Sequence, residues 1–61
     1  MILKHKETGM VIVAVKLERW SESDKRLFVF GVVREPGRTR FVVGASLAVP
    51  YDAGEWEEVG E

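Results

Sequence analysis

The amino-acid sequence predicts an all-β fold: an antiparallel β-meander of three to five strands, curled as a small SH3-like barrel or a rolled sheet, with little or no helix. Apolar and polar residues alternate with period two in its strongest segments, and these segments are rich in β-branched residues. A proline-glycine pair lies between the second and third of these segments, as in a tight turn. With 61 residues, the chain is interpreted as one small domain, 1–61, with a core meander at 10–49 and an acidic segment at 51–61.

The first predicted strand covers residues 10–20, MVIVAVKLERW. Its odd positions, from Val11 to Leu17, are all apolar, whereas its even positions become polar from Lys16 onward. We therefore expect the odd positions to face the core. The polar segment that follows, residues 21–25, is predicted to be a loop.

The second predicted strand, residues 27–34, contains no polar side chain between Leu27 and Val33. A strand that is apolar on both faces is typical of one that is covered on both sides. We therefore expect this strand to lie centrally, between the first strand and the third. Gly31 interrupts it and Gly44 interrupts the third strand, and glycines at such positions often mark a bulge or a bend.

The third predicted strand covers residues 39–49. Pro36 and Gly37 suit the central positions of a type II turn before it, because proline presets φ and glycine accepts a positive φ. A four-residue turn pairs Val32 with Phe41, whereas a one-residue bulge reverses the faces. The sequence leaves both registers open.

Both ends of the chain contain a further candidate element. The segment ILKHK near the start fits a short strand with Leu3 and His5 on one side. The segment DAGEWEEVGE fits two structures, a short helix capped by Asp52 or an edge strand around Trp56–Val59. The sequence does not decide between these two.

The second face of the central strand requires a cover. A domain of this size rarely gains more than ~3–5 kcal/mol from its core, and the sequence contains no cysteine and one histidine. Disulfides and thiolate zinc sites are therefore excluded as braces. The chain's own ends are one candidate cover and a second copy is the other; we expect a homo-oligomer, a dimer or larger. The predicted contact consists of Met10, Ile12, Phe28, Phe30, Val32 and Trp56.

Charge is unevenly distributed along the chain. The net charge is −1, but all nine Lys/Arg lie before residue 51, whereas half of the ten acids lie after residue 50. Basic residues interleaved with aromatic ones are typical of small β modules that bind nucleic acids, which gives a second interpretation. Its candidate contacts are Arg26, Arg34, Arg38 and Arg40. The pI of about 5.8 argues against this interpretation.

No catalytic, cofactor-binding or metal-binding residue is predicted. The single histidine lies near the start, and no glycine-rich phosphate loop precedes a helix. The longest apolar run, Met10–Val15, is too short to cross a bilayer, so we expect a cytoplasmic protein with no membrane partner. The expected function is that of a small interaction module, an adaptor, regulatory or structural subunit, with another protein as an alternative partner.

Overall fold

Five strands form one antiparallel sheet in the computed structural model, which describes residues 1–19, 23 and 26–60. The strands are β1 (Ile2–His5), β2 (Val11–Arg19), β3 (Leu27–Glu35), β4 (Ser46–Pro50) and β5 (Trp56–Val59). Their order is β4-β3-β2-β1-β5, and the described part of the chain contains no helix. The predicted all-β fold is confirmed, and its form is a rolled sheet because β4 and β5 do not pair to close a barrel. Of the predicted loop 21–25, all but Ser23 lies outside the described residues.

One face of the sheet curls around a small core. Its buried residues come from four strands and from the turn before β2, and none of them is more than 5% exposed. They are Leu3, Met10, Ile12, Val29, Val33 and Trp56. Leu47 and Val49 of β4 pack against this cluster, so every strand contributes to the core. The central position predicted for the second strand is confirmed, since β3 lies between β2 and β4.

In the middle of β2, the face that reaches the core is opposite to the predicted one. Ile12 is fully buried, whereas Val13 is 40% exposed and Val15 is 72% exposed. Ile12 lies between Leu3 and Val33 in the sheet, and this pairing turns Ile12 and Ala14 inward. The prediction of an odd core face was wrong at Val13 and Val15 because both faces are apolar as far as Val15, and period two alone does not choose between them. At the two ends of the strand the odd positions are as predicted: Val11 is buried, and Leu17 pairs with the buried Val29.

A β-bulge at Val15 interrupts the pairing of β2 with β3. Ala14 pairs with Gly31, but the next residue of β2 to pair is Lys16, so Val15 is an extra residue. The interruption predicted at Gly31 is confirmed. A Cβ at this glycine would lie 2.5 Å from the Val13 carbonyl oxygen, so only glycine fits between the two backbones.

The segment predicted as the first half of the third strand is a loop. β4 begins only at Ser46, which pairs with Val32, so the predicted pairing of Val32 with Phe41 was wrong. The cause is a turn at Gly44, whose φ of 91° ends the loop before the strand begins. The bend predicted at this glycine is confirmed. We refer to residues 36–45 as the basic loop.

The tight turn at the start of the basic loop lies one residue later than predicted. The Thr39 N–H donates to the Pro36 carbonyl oxygen (3.1 Å), which places Gly37 and Arg38 at the centre of the turn. Gly37 has a φ of 60°, and an added Cβ would collide with the Thr8 carbonyl oxygen. That oxygen also accepts a hydrogen bond from the Arg38 N–H (2.8 Å). The turn therefore packs directly on the backbone between β1 and β2.

Both end segments form strands, and these strands pair with each other. In β1, Leu3 and His5 share one side, as predicted, and this side faces the core. Of the two structures that fit the acidic segment, the edge strand is the one that forms. A turn precedes it, in which the Trp56 N–H donates to the Asp52 carbonyl oxygen (3.1 Å).

Candidate functional site

The side of the sheet opposite the core carries an apolar row, and we refer to this side as the outer face. Val59, Ile2, Val13 and Val32 are successive Cα partners across four strands. In their strands, Ile2, Val13 and Val32 are each next to a buried core residue. Because neighbouring residues of a strand point to opposite faces, these three side chains point away from the core. The outer face is therefore apolar at its centre.

Two aromatic rings lie beside this row on β3. Phe28 and Phe30 are half-buried. The Lys16 Nζ lies 5.1 Å from the centroid of the Phe30 ring, and the Arg26 Cζ lies 6.0 Å from that of Phe28. Both distances fit cation–π contacts, and the aliphatic stems of such side chains cover apolar surface. Part of the cover for the second face of β3 thus comes from the chain itself.

The six residues of the predicted contact separate into two groups. On the outer face lie Phe28, Phe30 and Val32. In the core lie Met10, Ile12 and Trp56, which are 4%, 0% and 5% exposed. The buried group offers no surface on the outer face. Val13, which the sequence assigned to the core, lies on the outer face because its neighbour Ile12 is the residue that points into the core.

The four arginines predicted as nucleic-acid contacts do not form one patch. Arg26 precedes β3 and Arg34 lies near its end, eight residues later, which is roughly 26 Å along a strand. Arg38 and Arg40 belong to the basic loop, at the same end as Arg34. Within the described residues, none of these last three forms an ion pair. Three of the four arginines therefore remain as a basic group.

The basic loop exposes three consecutive apolar side chains directly after Arg40. Phe41, Val42 and Val43 are 42%, 68% and 67% exposed. The sequence predicted a strand over these three residues, because an apolar β-branched run resembles a strand. We refer to these three residues as the apolar tip.

A cleft of about 460 Å³ opens between the end of β4 and the start of β5. Most of its wall is apolar, and the aromatic and aliphatic residues that line it include Met10, Val49, Tyr51 and Trp56. Asp52, Glu55, Arg26 and Thr39 also line it. Sequence reasoning missed the cleft, since it exists only when β5 has paired with β1.

His5 joins the cleft to the turn between β1 and β2. Its Nδ1 accepts a hydrogen bond from the Thr8 N–H (3.3 Å), and its Nε2 lies 3.6 Å from the Glu55 Oε2. The ring also meets Trp56 edge-on, with centroids 4.7 Å apart. These contacts hold the start of β5 against the turn, which is a structural role.

The described residues contain no group of three or more His, Cys, Asp or Glu side chains that is placed to hold a metal ion. No helix in this part of the chain is long and apolar enough to cross a membrane. No protein-family model, curated protein or solved structure matches the chain. Two features therefore carry the functional argument: the outer face, and the basic loop together with the cleft.

Proposed function

We propose that this chain is a small self-associating interaction module without catalytic activity, which acts as an adaptor, regulatory or structural subunit. The apolar row on the outer face is the observation that supports this proposal. The row crosses four of the five strands, and Val13 near its centre is 40% exposed. An apolar surface of this kind favours a protein contact.

Covering the row supplies free energy that the small core does not. Complete burial of a fully exposed Val or Ile side chain is worth roughly 1.5–3 kcal/mol. Val13 is 40% exposed and the other three members of the row are half-buried, so each gains only part of this value, and the whole row adds a fraction of the ~3–5 kcal/mol expected from the core. A second copy is the simplest partner, because a two-fold axis places each row against its equivalent. Lys16 and Glu18, paired at 3.2 Å, supply a polar rim beside the row.

Replacing Val13 with lysine is expected to abolish self-association through the outer face and to leave the fold intact. The side chain is already 40% exposed, and the lysine ammonium can reach water. The sedimentation mass, measured over a range of concentrations, is expected to be lower than that of the wild-type chain wherever the wild-type chain associates. Glu7→Gln is the matched control, because it raises the net charge by the same amount at an exposed turn residue. Equal masses for the wild-type and Val13→Lys chains at every concentration contradict the proposal.

The second candidate function is nucleic-acid binding by Arg34, Arg38 and Arg40. Their lack of ion pairs among the described residues favours it. The double change Arg38→Glu and Arg40→Glu is expected to abolish the retention of a random oligonucleotide in a gel-shift assay. The wild-type affinity is expected to fall steeply as salt is added, because bound phosphates release counterions. If neither the charge reversal nor added salt reduces the retention of the oligonucleotide, this candidate function is ruled out.

A further inference from the structure

We infer that the basic loop of one copy binds in the cleft of a second copy. This inference rests on the proposed self-association and adds to it a contact distinct from the outer face. The loop supplies an apolar tip preceded by Arg38 and Arg40, and the cleft supplies apolar walls together with two carboxylates and one arginine, Arg26. The two surfaces are thus complementary in both hydrophobicity and charge.

The apolar tip is held in its exposed position by short-range hydrogen bonds within the basic loop, while both ends of the loop are bonded to the body of the chain at Thr8 and Val33. The Thr39 Oγ1 donates to the Pro36 carbonyl oxygen (2.7 Å) and accepts from the Phe41 N–H (3.3 Å). The Ala45 N–H donates to the Val42 carbonyl oxygen (3.1 Å), which closes the other side of the loop. Folding the tip back into its own cleft would break these bonds. The tip is therefore presented outward, where another copy can receive it.

The cleft has the composition that such a tip requires. Tyr51 and Trp56 give it aromatic walls, and its volume of about 460 Å³ lies within the roughly 300–1,000 Å³ of typical binding pockets. Asp52 and Glu55 line it, and the segment 52–58 carries four acids with no Lys or Arg. These carboxylates suit Arg38 and Arg40 of the incoming loop.

The positions of loop and cleft on one chain suit an exchange between two copies. Thr39 belongs to the basic loop and also lines the cleft, where its hydroxyl lies 3.8 Å from the Met10 Sδ. Donor and receptor are therefore neighbours on the surface. Two copies related by a two-fold axis can each insert a loop and receive one, which closes the assembly at a dimer.

Two other occupants fit the observations less well. A nucleic acid can use the arginines and stack a base on Phe41, but it leaves the exposed aliphatic Val42 and Val43 uncovered and is repelled by the carboxylates of the cleft. An anionic bilayer accepts the apolar tip and the arginines, but it is repelled by the carboxylates that line the neighbouring cleft. A second copy uses all of these groups.

The test is a titration of the full chain with a synthetic peptide of residues 36–45, PGRTRFVVGA. The chain carries the change Trp20→Phe, so that Trp56 is its one remaining tryptophan, and it is kept dilute. Because Trp56 lines the cleft, a saturable change in its emission is expected. A peptide with Val42→Asp is expected to bind at least about tenfold more weakly, as is one with Arg38→Glu and Arg40→Glu.

A second set of variants tests the cleft without disturbing its turn. Asp52→Asn keeps an oxygen that can accept the hydrogen bond of the Gly54 N–H (2.8 Å), and Glu55→Gln keeps a polar partner for His5. The chain with both changes is expected to bind the peptide about tenfold more weakly and with less dependence on salt. Equal affinity for the wild-type and Val42→Asp peptides overturns the inference. So does a peptide that binds phosphatidylserine vesicles or an oligonucleotide but leaves Trp56 emission unchanged.

The two proposals fail separately. If Val13→Lys gives a monomer and the peptide does not bind, the outer-face contact stands and the loop contact falls. If the peptide binds and Val13→Lys leaves the oligomer intact, the loop contact stands and the outer-face contact falls.

Discussion

Replacing Gly31 with alanine is expected to remove most of the free energy of unfolding. The new Cβ would lie 2.5 Å from the Val13 carbonyl oxygen and 3.2 Å from the Ala14 Cα. Both atoms belong to the β2 backbone at the bulge, so they can move only if the pairing of β2 with β3 changes. Overpacking typically costs ~1–3 kcal/mol, and a collision with backbone belongs at the upper end of that range. A domain of this size has only roughly 3–5 kcal/mol to lose.

Urea denaturation followed by far-ultraviolet circular dichroism measures this effect. Gly60→Ala is the matched control, because a Cβ added there meets nothing within 4 Å. Its expected change in the free energy of unfolding is within about 0.5 kcal/mol. If the Gly31→Ala chain has the same urea midpoint of unfolding as the wild-type chain, the inferred close approach of the two strands at the bulge is wrong.

Replacing Ile12 with alanine is expected to lower the free energy of unfolding by ~2–5 kcal/mol. The side chain is fully buried, and its strand neighbours Leu3 and Val33 are each 1% exposed. The removed methylene and methyl groups therefore leave a cavity that rigid backbone on both sides cannot fill. A loss of this size is enough to unfold a large fraction of the chains.

Val15→Ala provides the comparison for Ile12→Ala within the same strand. Val15 is 72% exposed at the bulge, so its loss is expected to cost less than about 1 kcal/mol, the span of strand propensities. The measurement is urea denaturation at a concentration at which the chains are monomeric. Period-two reasoning from the sequence predicts the opposite order, with Val15 inside. A larger loss at Val15 than at Ile12 therefore contradicts the observed facing of β2.

The sequence predicts the strands well because their side-chain types and period are local properties. The apolar run of β3 indicates its central position, since a strand between two neighbours is covered on both sides. Gly31 and Gly44 mark the bulge and the bend for the same local reason, the absence of a Cβ. The segment Trp56–Val59 forms one of the two structures that its composition allows.

The register and the facing of the strands depend on pairing between distant segments, which the sequence pattern does not contain. Residues 10–15 are apolar on both faces, so the pairing of Ile12 with Leu3 and Val33 decides which face turns to the core. The run Phe41 to Val43 has the composition of a strand, but the pairing of Ser46 with Val32 leaves it in a loop. The candidate surfaces differ for the same reason. The outer-face residues of β3 follow from its local pattern and can be predicted, whereas the cleft and the apolar tip depend on pairing between distant segments and cannot.

The pairing of β1 with β5 has a consequence for how the chain reaches its native state. Ile2 and Val59 are Cα partners, so contacts at one edge of the sheet join segments that are almost the whole chain apart. Such non-local pairing slows folding, to the millisecond-to-second range for comparable β domains. The hairpin of β2 and β3 joins segments that are close in sequence and can form first, whereas Leu3 meets Trp56 only when β1 pairs with β5. Until that pairing forms, the partly folded chain leaves one side of its core open to water and is prone to aggregate.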